Sequence, residues 1–484
     1  MRQFIILITC LLVAVPAWAA SDSFPAYVAA PAYTSYFADS TPNNVYHISP
    51  SGSDSTGTGT YATPWASLAG AQGTAAAGDL ILFHEGTYTS YTNGASSWYS
   101  TNRLTTPGTS SDRIVILAAN KYTGYSSETQ PLIDIKEYLG MTLYAYQVLD
   151  GLKIDGGLSI YANGVVVQNC DFSGACAAQQ DGNPACILFP AESPCAQNIT
   201  IRNNKFHDPE NDHTAGNGRA YAIIMFDSNL DSIEGAWNGG YTRIWYNQFY
   251  NWDAPTSQKF IVYQKDSAHG LDVAYNRFFN SNAFALAGYG QSTVAYTRGC
   301  SYHHNLAYNC DGLAFWWGYG YGDSSWHDNV VIDNGYSDTA YYMAGAAGDS
   351  FGMVGVSNHD CATLWGAVYN NIFYVDDPGE WASGTDATGS GYWAWVDYNA
   401  YASTSGQSAF ENANSGSANW QVHDQTSQQT VTVDGSYFAT VADSYPYKTS
   451  GRYSDCIGGF AWSGGGSSAG KTMSGGVVSG GTLR

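Results

Sequence analysis

Short stretches in which apolar and polar residues alternate recur along this chain, and they end alike. "VVVQNCDF" (165–172), "ITIRNNKF" (199–206), "RIWYNQF" (243–249), "DVAYNRF" (272–278), "SYHHNLAY" (301–308), "SWHDNVV" (325–331), "GAVYNNIF" (366–373) and "AWVDYNAY" (394–401) each read as a brief strand. Each closes on an Asn, or on Cys in the first, usually with an apolar or aromatic residue two places on. The repeated positions are Cys170, Asn204, Asn247, Asn276, Asn305, Asn329, Asn371 and Asn399, spaced 24 to 43 residues apart. Constant strands joined by variable connections predict a solenoid, in which each coil buries its inward side chains on its neighbours and insertions are pushed into turns. An antiparallel sandwich would need hairpin turns about every ten residues, and these are scarce. Asn suits the turn because it tolerates left-handed backbone and its amide can bond an identical amide one rung away.

A second series follows the apolar strands: Asp227-Ser228, Asp266-Ser267, Gln291-Ser292, Asp323-Ser324 and Asp349-Ser350. It is expected to form a second column of turns, either Asx-type or binding calcium between rungs. Near the start, "AAAGDLILFHEGTYT" (75–89) places a Gly78-Asp79 turn before the strand Leu80 to Phe83 and a second turn at Gly86.

This stretch, with "VYHISPSGSDSTGTGTYATPWASLAGA" before it, resembles the opening segment of secreted right-handed parallel β-helix proteins, the pectate-lyase-like superfamily. "DRIVILAANKYTG", "PLIDI" and "YQVLDGLKIDGG" continue the resemblance, and "DYNAYAS" and "DCIGGFAW" are similar to closing rungs. The resemblance implies an all-β, single-stranded right-handed parallel β-helix of about ten coils over residues 45–465. It also implies a short helix, at Ser67 to Ala77, capping the first coil. Residues 1–20 read as a signal peptide ending in Ala17-Trp18-Ala19, 21–44 as an N-terminal extension, and 466–484 as a Gly/Ser-rich tail. The fold alone hosts lyases, hydrolases, epimerases and adhesins.

An exported chain favours disulfides. Of nine cysteines one, Cys10, falls in the leader, and the local pairs are Cys170–Cys176, Cys186–Cys195 and Cys300–Cys310, with buried thiols as the alternative. The net charge of −22 argues against nucleic acid and anionic membranes, which need clustered cations. An aromatic content of 15% favours an extracellular polysaccharide as partner, a neutral one more than a polyanion. Nothing beyond the leader is apolar enough to span a membrane, and the sequence leaves the oligomeric state open.

His303 and His327 stand two places before ladder asparagines and are expected to neighbour each other on successive coils, with His304 and Asp328 in the next column. His beside Asp is a general-base arrangement; the alternative is a polar stack without substrate. Trp316, Trp317, Tyr319, Tyr321 and Trp326 supply rings for a sugar platform or for packing inside the coil. "VYQKDSAHGLDVAYNRF" is similar to the segment of alginate-lyase-type β-helices that carries the catalytic base, which would place Lys265 in that role or as a contact to an acidic group. The Arg-x-Pro-x-x-Arg of pectate lyases and the Gly-His-Gly of polygalacturonases are absent. Asp208, Glu210 and Asp212 alternate in a glycine-ended loop that suits calcium or is a plain acidic turn. The functional expectation is a polysaccharide-binding protein that acts as a lyase or glycoside hydrolase, or a non-catalytic surface or adhesive scaffold.

Overall fold

A computed structural model describes residues 22–23, 28–89 and 103–174 and, beyond them, the strands and turns of successive coils in shorter segments as far as residue 441. The chain is a parallel β-helix. Among the described residues twelve parallel strands form one face, in chain order Val45–Ile48, Leu80–Phe83, Ile114–Ala118, Gln147–Asp150, Val166–Gln168, Thr200–Arg202, Thr242–Trp245, Leu271–Ala274, Ser301–His303, Ser325–His327, Ala367–Tyr369 and Trp395–Asp397. The remaining coil strands wrap around the other sides. Lys153–Ile160 shows how: its start pairs with Asp171–Gly174 and its end with Ala185–Phe189, so one bent strand serves two faces.

Alternation decides what lies inside. On the first face the middle residue of each short strand points inward, giving the buried stack Ile201, Ile244, Val273, Tyr302 and Trp326. The next wall, across one bend of the chain, carries a phenylalanine ladder, Phe172, Phe206, Phe249 and Phe278, with ring centroids 4.7 to 4.8 Å apart. That spacing is the distance between hydrogen-bonded strands, so identical rings stack with no adjustment of the backbone.

The asparagine ladder lies at the corner between these walls. Asn204, Asn247, Asn276, Asn305, Asn329 and Asn371 are completely buried. The side-chain oxygen of Asn305 accepts from the backbone N–H of Asn276 at 3.1 Å and from its amide at 3.0 Å, and the Asn276 amide also donates to Ile244 O at 2.7 Å. The same triplet repeats from rung to rung, ending at Cys170, whose N–H donates to Asn204. Asn399 lies outside the described residues. One expectation is corrected: the ladder residue is not the left-handed one. The residue before it is: Asn169, Asn203, Tyr246, Tyr275, His304 and Asp328 have φ between 53° and 59°. The bend is taken at this outer position, so the next residue turns its amide inward.

Three other expectations differ. The helix over Ser67 to Ala77 is not formed. The segment makes a single 3-10 turn, Leu68–Ala71, with the Ser67 hydroxyl accepting from Ala69 N–H. The Asp54 carboxylate accepts from the N–H groups of Ala66 and Ser67, and Gly70 and Gly73 discourage continuation. Trp65, Leu68, Ala71 and Ala75 nonetheless enter the main core and close its end. In the Asp-Ser series Asp227 pairs with Asp266, but Lys265 pairs with Tyr289, which brings Gly290 rather than Gln291 in line with Asp266; Gln291-Ser292, Asp323-Ser324 and Asp349-Ser350 lie outside the described residues. Finally, Cys170, Cys186, Cys300 and Cys310 are buried thiols, and the Cys300–Cys310 bridge is not made. Cys176 and Cys195 lie outside the described residues.

Residues 28–37 lie along the outside of the first face. Its outward residues Leu80, Leu82, Val115, Leu117, Val148 and Val166 are apolar and form a second, smaller core with Phe37, against which Tyr33 and Tyr36 pack. A polar seam closes this cover. Asp150 accepts from Lys121 Nζ and Gln168 Nε2, both at 2.7 Å, Tyr36 OH donates to Gln168 at 2.7 Å, and Arg202 donates to Tyr36 and Gln168.

Replacing Asn276 by Ala removes the acceptor of the Asn247 backbone N–H and of one hydrogen of its amide, and the side-chain donor to the Ile244 carbonyl, all in the core. At roughly 1–3 kcal/mol per unsatisfied group, the variant is expected to lose about 3 kcal/mol or more in urea unfolding. Asn251→Gly, at an exposed left-handed position (φ 52°) where the Asn amide donates to Asp208, is expected to lose about 1 kcal/mol or less. Equal losses would remove the ladder's special standing. For the thiols, burial, with the charge of Asp150 adding to it, pushes Cys170 up to about 12. A thiol reagent at pH 8 is therefore expected to modify Cys170, Cys186, Cys300 and Cys310 only after denaturation. A Cys300–Cys310 cross-linked peptide in a non-reducing digest would contradict this.

Candidate functional site

Beyond Val166 the outward residues of the first face change from apolar to polar. Two columns run up it in strict register. One reads Thr200, Arg243, Asp272, Ser301, Ser325; the other Arg202, Trp245, Ala274, His303, His327. The left-handed position supplies a third: Asn203, Tyr246, Tyr275, His304, Asp328. Where these columns reach residues 272–328, three imidazoles and two carboxylates meet.

His303 and His327 stack with centroids 5.0 Å apart and planes 8° from parallel. Each has its own carboxylate. Asp272 Oδ1 is 3.1 Å from His303 Nε2, and Asp328 Oδ2 is 2.7 Å from His327 Nδ1. Ionised carboxylates only accept, so each imidazole donates there and is left with an acceptor nitrogen. For His303 that nitrogen is Nδ1, 2.8 Å from His304 Nδ1, which therefore carries its proton toward it. For His327 it is Nε2, 3.3 Å from the Ser301 hydroxyl. His303 and His327 each keep 19% of their side chain exposed, enough for contact with a ligand.

The electrostatics divide these groups into two kinds. Burial, reinforced by the neighbouring His303 and His327 and opposed by Asp328, pushes His304 down to about 3, so it is neutral and acts as a fixed donor. Burial alone would raise Asp328, but the hydrogen bond from His327 and the surrounding imidazoles hold its carboxyl below the ordinary value. Tyr275, 5.0 Å from His304 and 5.6 Å from His303, is pushed up to about 12 by burial and is an un-ionised ring wall. Tyr246 stacks on it at 4.9 Å, and Arg243 lies over Trp245 at 5.3 Å. One rung after another, the surface next to the imidazoles is thus aromatic.

The structure brings together His303, His327 and Asp328 and separates the other sequence candidates from them. Trp326 is core, 1% exposed and stacked on Tyr302 at 4.9 Å, because a residue between outward Ser325 and outward His327 must point inward. Lys265 belongs to a strand of another face, in backbone register with Tyr289 and, one rung further, Trp317; Trp316 is in the adjacent position. Tyr321 pairs with Thr297 in a short separate sheet, and Tyr319 lies outside the described residues. Asp208 is already engaged, bonded to His207 Nδ1 at 2.8 Å and to the Asn251 amide at 2.9 Å; Glu210 and Asp212 lie outside the described residues. Among the described residues no three His, Cys, Asp or Glu side chains converge on a metal position.

Asp272, Ser301 and Tyr275 are the participants that sequence reasoning did not single out. Their signal was present: Asp272 and Ser301 both stand four places before a ladder asparagine, as His303 and His327 stand two places before, and residues of equal offset share a column.

No protein-family model matches the chain, and no curated protein matches its sequence. Among solved structures it resembles XylC in complex with xylose (11% identity over 81% of this chain and 88% of that one, TM-score 0.43). It also resembles pectate lyase Pel9A (16%, 85% and 92%, TM-score 0.42) and the GH136 lacto-N-biosidase from Eubacterium ramulus (12%, 80% and 67%, TM-score 0.48).

The neutral His304 has a thermodynamic consequence. Its folded value lies below its ordinary 6.5, so between 6.5 and about 3 the unfolded chain binds the proton and the folded chain does not. The contribution of His304 is therefore full above 6.5 and falls as pH drops through that window, with His47, also lowered by burial, adding in the same direction, whereas His207, raised by its hydrogen bond to Asp171, acts in the opposite one. Depressed carboxylates such as Asp328 contribute only below their ordinary 3.8. His304→Asn keeps a residue that tolerates left-handed backbone, as Asn203 does at the equivalent place. Urea midpoints measured from pH 7 to 4 are expected to fall less steeply for this variant than for the parent. Parallel curves would show that His304 is protonated in the fold.

Proposed function

We propose that this is an exported carbohydrate-active protein that holds a polysaccharide against the outer surface of the first face and cleaves it by proton transfer at His303 and His327. The observation that carries the reading is the pair of carboxylate-held imidazoles on consecutive rungs, Asp272–His303 and Asp328–His327, stacked 5.0 Å apart and partly exposed. Breaking a glycosidic linkage, by elimination or by hydrolysis, needs one group to take a proton and another to give one. Two imidazoles on consecutive rungs can divide these tasks, and each carboxylate fixes its ring's tautomer.

The surroundings favour a sugar polymer. Trp245, Tyr246 and Tyr275 offer ring surface beside polar acceptors, the mixture that sugar faces and hydroxyls require. Rungs repeat along the axis, so a repeating ligand can meet equivalent positions on successive coils. The net charge of −22 favours a neutral or weakly charged polymer. The leader-like residues 1–20 support export, and among the described residues no helix is long and apolar enough to cross a membrane. The scarcity of cations, 18 Lys and Arg in the whole chain, favours a second reading in which the helix is a non-catalytic surface scaffold.

The test is a panel of neutral and acidic polysaccharides, scored for binding, for unsaturated products and for new reducing ends. His303→Asn and Asp272→Asn are expected to lower turnover by about 10²-fold or more with binding changed only a few-fold. Trp245→Ala is expected to weaken binding. Binding without turnover on every polymer would leave the scaffold reading, and neither binding nor turnover would discard both.

A further inference from the structure

We infer that Ser301, His327 and Asp328 form a nucleophile–base–carboxylate triad, and that the protein hydrolyses small carboxylic esters, such as acyl groups carried on the hydroxyls of a polymer. The three side chains form one chain of hydrogen bonds. The Ser301 hydroxyl donates toward His327 Nε2 at 3.3 Å, and His327 Nδ1 donates to Asp328 Oδ2 at 2.7 Å. This is the order that acyl transfer by serine requires, with the carboxylate fixing the tautomer that leaves Nε2 free to take the serine proton. A serine-to-histidine separation somewhat above 3.2 Å is usual in triads without substrate.

The fold makes the arrangement from local features. Ser301 and His303 are the two outward residues of one three-residue strand, and Ser325 and His327 are those of the next. Ser301 and His327 are thus a diagonal pair across one rung. Asp328 takes the left-handed position, φ 56°, and the bend folds its carboxylate back onto the imidazole immediately before it. Asp272 is the in-register neighbour of Ser301 on the other side, but its carboxylate is turned to His303. Ser325, in register with Ser301 one rung further on, brings a second hydroxyl to the same column as a donor for the substrate carbonyl.

The bond changes balance with water as the second reactant. Ser301 Oγ forms a bond to the ester carbonyl carbon while His327 Nε2 takes the hydroxyl proton, and the carbon–oxygen bond to the alcohol breaks as His327 returns that proton to the departing oxygen. Water then attacks the acyl-serine, giving its proton to His327, and collapse restores the Ser301 hydroxyl and releases a carboxylic acid. Nothing in this sequence requires cleavage of a polymer backbone, so it stands apart from the reading above.

Two measurements test it on the full mature chain. A fluorophosphonate probe is expected to modify Ser301, located by peptide mass spectrometry, in wild-type protein. p-Nitrophenyl acetate hydrolysis is expected to fall by about 10²-fold or more in Ser301→Ala, and Asp328→Asn is expected to lower kcat with little change in KM. Melting curves of both variants establish that they are folded, and wild-type labelling needs no variant. Chain cleavage is scored in parallel on a polymer without acyl groups. Ester hydrolysis without chain cleavage upholds the triad and removes the other reading, and the converse does the reverse. Absence of label at Ser301 in the wild type, or hydrolysis by Ser301→Ala at the wild-type rate, overturns the triad.

Discussion

The hydrogen-bonded column of buried asparagine amides is the constraint on which the rest of the molecule depends. A parallel sheet fixes the strand spacing, but nothing in backbone pairing alone prevents one coil from slipping by a residue against the next. A slip would turn every outward side chain inward. Each ladder amide bonds its counterpart at 2.9 to 3.1 Å and a backbone carbonyl besides, so a slipped rung would bury unpaired amides at several kcal/mol. The phenylalanine stack tolerates small displacements; the amides do not. Register on the outer face, and with it the distance between His303 and His327, is set from inside.

Much of this was legible in the residues. The ladder positions could be aligned by eye, and the pairing of Asn204 through Asn371 follows that alignment. The same offsets placed His303 over His327. What escaped the sequence are features that depend on which residue takes the bend and how the faces turn relative to one another. The left-handed residue precedes the asparagine, as Tyr246 and Tyr275 show, although propensity alone favours Asn for that backbone. Variable connections hide which face a segment joins, so spacing alone does not reveal that Lys265 and the Trp316–Trp317 pair belong to a different wall from the histidines. Trp326 takes the second of the two placements open to it, packing inside the coil, because the period-two alternation between Ser325 and His327 sends that ring inward. The cysteine pairs rest on sequence proximity, whereas Cys300 stands just before the first-face strand Ser301–His303 and Cys310 lies within the strand Leu306–Gly318 beyond its corner.

The outer face is divided by the extent of its cover. Where residues 33–37 lie over it, outward positions are Leu and Val; past the seam of Asp150, Gln168, Tyr36 and Arg202, they become Arg, Asp, Ser and His. The seam is a polar boundary that keeps water from the covered core and marks where the surface begins to meet ligands. Position along the axis therefore correlates with role.

The three-residue strands of the first face have a consequence of their own. Each presents two outward side chains and, from the following bend, a third, while the inward residue and the ladder amide carry the packing. A rung is thus a three-letter word written on a support that does not read it. Exchanging letters on one rung leaves the support unchanged, and duplicating or deleting a whole coil moves the words apart or together by one strand spacing, about 4.8 Å. Surface chemistry in such a protein can diverge rung by rung while the architecture stays recognisable.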